Sequence, residues 1–174
     1  MRYLITLPWM PYPATDGGKQ GSFNMLMELQ NMIDITLIYP VFFKKQMACQ
    51  YLLEKQLPKV KVYPFEYYKN KDGIKSQYSL FRLHRIITRK FLKQPYLATP
   101  IYKDAYIDFV NEIIKKDRID IVQNEYFEQL YMVYAIPNTV KKVFIQHEIQ
   151  YIAKERLFQQ REYPSSVRYL ATIH

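Results

Sequence analysis

Two adjacent glycines, Gly17 and Gly18, stand between a proline-rich run, PWMPYPAT, and a helical pattern. Glycines at a helix N-terminus let backbone N–H groups approach an anion closely, and the helix dipole favours negative charge there. The competing reading is a turn with an N-terminal cap, in which Asp16 and Ser22 supply the side-chain oxygens. Dinucleotide binding fits poorly. Gly17, Gly18 and Gly21 read G-G-x-x-G, where the dinucleotide fingerprint needs G-x-G-x-x-G, and the second apolar run ends in Tyr39 and Pro40 with no acid for a ribose. No G-K-[ST] completes a phosphate-binding P-loop. No D-x-D cluster or His/Asp spacing points to a metal, and a single cysteine, Cys49, excludes an internal disulfide and a cysteine cage.

The elements that must position such a loop are legible in the apolar pattern. Four short runs have strand character: RYLITL (2–7), DITLIY (34–39), DIVQNE (120–125) and KVFIQHE (142–148). A weaker fifth, KVKVYPF (59–65), alternates Lys and Val and is expected to stop at Pro64. Helical spacing lies between them. Phe23, Leu26, Leu29, Gln30 and Ile33 trace one face, and Tyr102, Ala105, Tyr106, Phe109, Val110, Ile113 and Ile114 form a cleaner stripe. Continuous apolar strands alternating with amphipathic helices predict an α/β fold, a Rossmann-like parallel sheet flanked by helices. Ligands of such sheets bind at the carboxyl ends of the strands, so the loop after the first strand and the ends of DIVQNE and KVFIQHE are where a site is expected. Of the three histidines, only His147 falls at such a place; His84 lies in a basic segment and His174 is the last residue.

A chain of 174 residues, 49% apolar and 24% charged, is long enough for one globular domain, read here as residues 1–174. No apolar run reaches the roughly 20 residues needed to span a bilayer. The opening stretch is too short to act as a secretion signal, so a cytoplasmic protein is expected. The formal charge of +9 is concentrated: residues 41–103 hold 14 Lys and Arg against Glu54, Glu66 and Asp72. Within that span, IKSQYSLFRLHRIITRKFLK (74–93) places Lys75, Arg82, Arg85, Arg89 and Lys93 on one helical face and Leu80, Leu83, Ile87 and Phe91 on another. Such a helix suits an anionic membrane surface at the inner face of the membrane, and equally a core-packed helix with a solvated charged face. Tyrosines and phenylalanines interleave with lysines nearby, but without an RNA-binding signature, so no nucleic-acid partner is expected.

PYPATDGGKQGSFNMLMELQ resembles the start of the GT-B glycosyltransferases, in particular the large retaining family numbered four. IDIVQNEYFEQLYM and KKVFIQHEIQYIAKER resemble the last two strands of their N-terminal domain. The resemblance covers both ends of the chain and leaves 41–100 unmatched. It implies one half of a GT-B fold, the acceptor-side domain of an enzyme that moves sugar from a nucleotide-sugar donor to a glycan or lipid-linked acceptor, without a metal or other cofactor. It implies that Gly17 and Gly18 face the donor diphosphate, that Asp16, Lys19 and Glu125 lie on the acceptor side, and that His147 lies close to the transferred sugar. Glu148, which stands where the family often has Asp, is placed on the acceptor side as well. The family's C-terminal donor-binding domain has no counterpart in these residues, so the chain alone is expected to be inactive. The alternative from another class is a non-catalytic α/β binding module whose basic face, residues 75–93, docks an anionic surface.

Overall fold

A computed structural model of the protein describes residues 1–69 and 104–147. Five strands form one all-parallel sheet: β1 (Arg2–Thr6), β2 (Asp34–Val41), β3 (Lys61–Glu66), β4 (Ile121–Glu125) and β5 (Lys141–Ile145), in the order β3-β2-β1-β4-β5. Helix α1 (Gly17–Leu29) joins β1 to β2, and α2 (Gln50–Gln56) lies between β2 and β3. Helix α3 (Asp104–Lys116) precedes β4, and a short α4 (Met132–Ala135) precedes β5. The expected α/β class and Rossmann-like sheet are therefore present.

Alternation along the strands divides the core into two faces. Leu4, Ile38 and Val122 pack with Tyr106, Val110, Ile113 and Ile114 of α3. Ile5, Leu37, Tyr39 and Val41 pack on the other face with Leu26 of α1 and Leu53 of α2. From Ile35 to Val41 every residue of β2 is buried, as a strand covered on both faces requires. In α3 the expected stripe is buried at Tyr106, Val110, Ile113 and Ile114, whereas Ala105 is exposed and Tyr102 lies outside the described residues. The α1 stripe is thinner. Within the helix only Ser22 and Leu26 are fully buried; Phe23 and Leu29 are half-buried, and Gln30, also buried, is the C-terminal cap.

Two strands run further than their prolines suggest. β3 continues through Pro64 to Glu66, and β2 through Pro40 to Val41. The register gives the reason. Tyr39 is paired with Pro64, so Tyr63 and Phe65 turn their backbone groups toward β2 and Pro64 turns its missing N–H away from β2, to the side on which β3 has no partner among the described residues. The ladder to β1 ends where the Leu7 N–H meets the Ile38 carbonyl at 3.0 Å, so Pro40 lies beyond the stretch of β2 that is paired with β1. A proline costs a strand only the hydrogen bond that a neighbour was there to make.

At the opposite end of the sheet, Asp120 ties the start of β4 to the start of β1. Its carboxylate accepts from the Arg2 backbone N–H at 2.8 Å and from the Arg2 guanidinium at 3.1 Å. These contacts, the backbone N–H foremost, hold its carboxyl below the usual carboxylate range. A carboxyl lowered in the folded state adds stability above its unfolded value, near 3.9, and loses it as pH falls through the lower folded value. Asp120→Asn is accordingly expected to lower the urea midpoint at pH 7 and to leave it unchanged near pH 2. Equal losses at both pH values would contradict the assignment.

Among the described residues no helix is long and apolar enough to cross a membrane. The basic segment 75–93, with Lys75, Arg82, Arg85, Arg89 and Lys93, lies outside the described residues, as does Glu148.

Candidate functional site

β1 pairs with β2 on one side and β4 on the other, so the strand order reverses direction between β1 and β4. In open α/β sheets the crevice above such a point is where ligands bind. Three segments meet at that end: the loop from Leu7 to Asp16 with the first turn of α1, the end of β4 at Glu125, and His147 two residues beyond β5. Residues more than a hundred positions apart in sequence are brought together there by the parallel ladders of β1, β4 and β5.

Glu125 is the centre of the arrangement. It is fully buried, and alternation aims Gln123 and Glu125 toward the α1 face of the sheet. The Gln123 side-chain N–H donates to Glu125 Oε1 at 2.6 Å, the Ser22 hydroxyl donates to Oε2 at 3.2 Å, and His147 Nε2 lies 3.1 Å from the same Oε2. Gln123 is itself oriented by the Tyr3 hydroxyl, which donates to its Oε1 at 2.7 Å. A buried carboxylate is tolerable only when surrounded by donors in this way. Ser22, read from sequence as a possible cap, instead lies one turn inside α1 and turns inward.

Tyr126 follows Glu125 and is held in the left-handed region at φ 68°. That conformation costs a bulky residue about 1–3 kcal/mol and is kept only where surroundings impose it. Here it sends the ring back over the site. The Tyr126 ring stacks on His147, with centroids 4.4 Å apart and planes 25° from parallel, and meets Trp9 at 4.5 Å on a tilt. Its hydroxyl donates to the Gly18 carbonyl at 2.9 Å. Burial, followed by the Glu125, Asp16 and Glu128 charges, raises the Tyr126 phenol above its ordinary value, while its contact with Ser22 works against the rise. Burial and Glu125 likewise raise Tyr3. Both phenols thus keep their protons at neutral pH and act as donors.

The glycines differ in what surrounds them. A Cβ on Gly18 would come within 3.3 Å of the Tyr126 hydroxyl, which would have to give by a few tenths of an ångström, and would meet the Trp9 ring at an ordinary 3.6 Å, so Gly18 is the most closely packed of the three glycines of this stretch. Gly17 and Gly21 meet nothing within 4 Å. At Gly21, inside α1 and exposed, glycine brings only backbone entropy. Gly21→Ala is expected to stabilise the chain by about 1 kcal/mol and raise Tm by roughly 2–8 °C. An unchanged or lowered Tm in calorimetry would show that Gly21 makes a contact the structure does not.

Asp16 caps α1. Its Oδ1 accepts the Lys19 backbone N–H at 2.9 Å, and Oδ2 pairs with Lys19 Nζ at 3.3 Å. The Lys19 N–H, then its ammonium, with the Gly18 N–H contributing, hold the Asp16 carboxyl below its ordinary value. The cap reading of this stretch is therefore correct for Asp16, and an arriving anion meets a helix end already partly served by a carboxylate. Lys19 also reaches Thr15 Oγ1 at 3.2 Å.

Of the residues singled out from sequence, Gly18, Glu125 and His147 form one connected cluster, with Gly17, Asp16 and Lys19 at its rim. Glu125 lies behind His147 rather than at an open surface. Sequence reasoning missed Tyr126, Gln123, Tyr3 and Trp9, although the i, i+2 spacing of Gln123 and Glu125 in one strand already placed them on one face. Among the described residues no group of three or more His, Cys, Asp or Glu side chains is placed to hold a metal ion. Comparison with protein-family models, with curated proteins and with solved structures found no match to this chain.

Proposed function

We propose that this chain is the acceptor-side domain of a metal-independent, retaining GT-B glycosyltransferase, which transfers sugar from a nucleotide-sugar donor to a glycan or lipid-linked acceptor. The observation that carries the reading is the linkage of His147, through Tyr126, to the glycine turn at the N-terminus of α1, at the carboxyl edge of the sheet. The resemblance of PYPATDGG and FIQHE to that enzyme class supports it by assigning both segments to one cleft.

In this reading a displaced nucleoside diphosphate develops negative charge next to the first turn of α1, where backbone N–H groups and the helix dipole stabilise it without reorganising. His147 lies beside the transferred sugar. Asp16 and Lys19, already paired, offer an acceptor hydroxyl one carboxylate and one ammonium. The nucleotide itself is held by a second domain, so the chain alone shows no turnover.

The test is sugar transfer from a panel of nucleotide-sugars, run with this chain alone and with the full-length protein in which a donor-binding domain accompanies it. Transfer by the two-domain protein and none by the chain alone is the expected result. Turnover by the chain alone would overturn the division of labour. No transfer from any donor, together with binding of anionic vesicles through residues 75–93, would favour the binding module.

A further inference from the structure

We propose that Glu125 is a positioning residue that locks His147 in one tautomer, with the proton on Nε2 and Nδ1 left as a hydrogen-bond acceptor. The proposal rests on the glycosyltransferase reading only in placing a substrate next to His147; the lock itself is a property of the unliganded chain.

The directions of the hydrogen bonds carry it. The Tyr3 proton goes to Gln123 Oε1, so the Gln123 amide N–H faces Glu125 and donates at 2.6 Å. The Tyr126 proton goes to the Gly18 carbonyl, which can only accept. Ser22 Oγ, 3.2 Å from both Glu125 Oε2 and the Tyr126 oxygen, is left to donate toward one of these two acceptors. Glu125 thus sits at the receiving end of the network, and a carboxylate accepts and does not donate. The remaining partner of Oε2, His147 Nε2 at 3.1 Å, must supply the proton. Tyr126, stacked on the face of the ring, holds the plane of the imidazole in line with Glu125.

Nothing among the described residues hydrogen-bonds Nδ1, and the side chain is 35% exposed while its partner carboxylate is fully covered. An imidazole nitrogen with a free lone pair accepts from a hydroxyl and repels a phosphate oxygen. The lock therefore suits His147 to a sugar hydroxyl and assigns the anion to the α1 turn.

The experiment needs neither ligand nor activity. Long-range proton–nitrogen correlation spectra of the nitrogen-15-labelled chain, taken near pH 8 where an ordinary imidazole is neutral, distinguish the two tautomers, and subtraction of a His147→Gln spectrum assigns the signal. The native chain is expected to show the Nε2–H pattern alone. In Glu125→Gln the new amide must keep its carbonyl toward the Gln123 N–H, so its NH2 faces the ring and the pattern is expected to change to Nδ1–H. An averaged or Nδ1–H pattern in the native chain would overturn the lock, whether or not the variant folds. An unchanged Nε2–H pattern in a folded Glu125→Gln would also overturn it. A chain that shows the lock but belongs to no sugar-transferring protein would leave the lock standing and remove the functional reading.

Discussion

His147→Ala is expected to lower kcat for sugar transfer by about 10²–10⁴-fold in the full-length protein, with KM for the donor changed much less. Positioned acid–base or polar groups contribute on that scale when they act on the reacting centre. In the proposed reading the donor is held by a second domain, so truncating this ring would remove an interaction made with the sugar and leave nucleotide binding intact. The truncation also uncovers Glu125 Oε2 and one face of Tyr126. His147→Gln, which keeps a donor in reach of Glu125, is expected to retain the fold while losing comparable turnover. Steady-state kinetics on both variants checks this, and wild-type kcat in either would remove His147 from the chemistry.

Leu26→Ala is expected to be the most damaging truncation in α1, costing about 3–5 kcal/mol. Leu26 is completely buried among Ile5, Leu37, Tyr39 and Leu53, and it shares the buried positions of α1 with Ser22 alone. The other apolar side chains of α1 that pack on this cluster, Phe23, Met25, Met27 and Leu29, are only partly buried. The loss is a large share of the roughly 5–15 kcal/mol that holds a domain folded. It is expected to lower Tm by roughly 10 °C or more. The helix also carries Gly18 and Ser22, so partial undocking loosens the Tyr126 and Glu125 contacts together. A calorimetric Tm within 2–3 °C of the native value, the scale of a sub-kcal change, would show that α1 is anchored by contacts other than Leu26.

Much of the fold could be read from sequence because buried parallel strands announce themselves. DITLIY is a near-continuous apolar run, and α3 carries its stripe at helical spacing. Pro64 misled about the end of β3 because a proline's effect depends on which side its missing N–H faces, and that is set by a neighbour remote in sequence. The site divides along the same line. Gly18, Asp16, Glu125 and His147 could be found because strand ends and helix starts are local signals. Tyr126 could not, since its role depends on a backbone turn at φ 68° and on contacts with residues 108 positions before it and 21 after it. Ser22 gave the wrong signal. A serine early in a helix reads as a cap until the sheet supplies a buried carboxylate for it.

The alignment of the α1 turn with His147 is tested most directly by amide and imidazole spectra of the nitrogen-15-labelled chain during titration with a nucleotide-sugar at millimolar concentrations. The account predicts concerted shifts at the Gly17 and Gly18 amides and at the His147 ring, with the free nucleoside diphosphate moving the glycines but not the imidazole. Shifts confined to residues 75–93, or none at Gly17, Gly18 and His147, would contradict it.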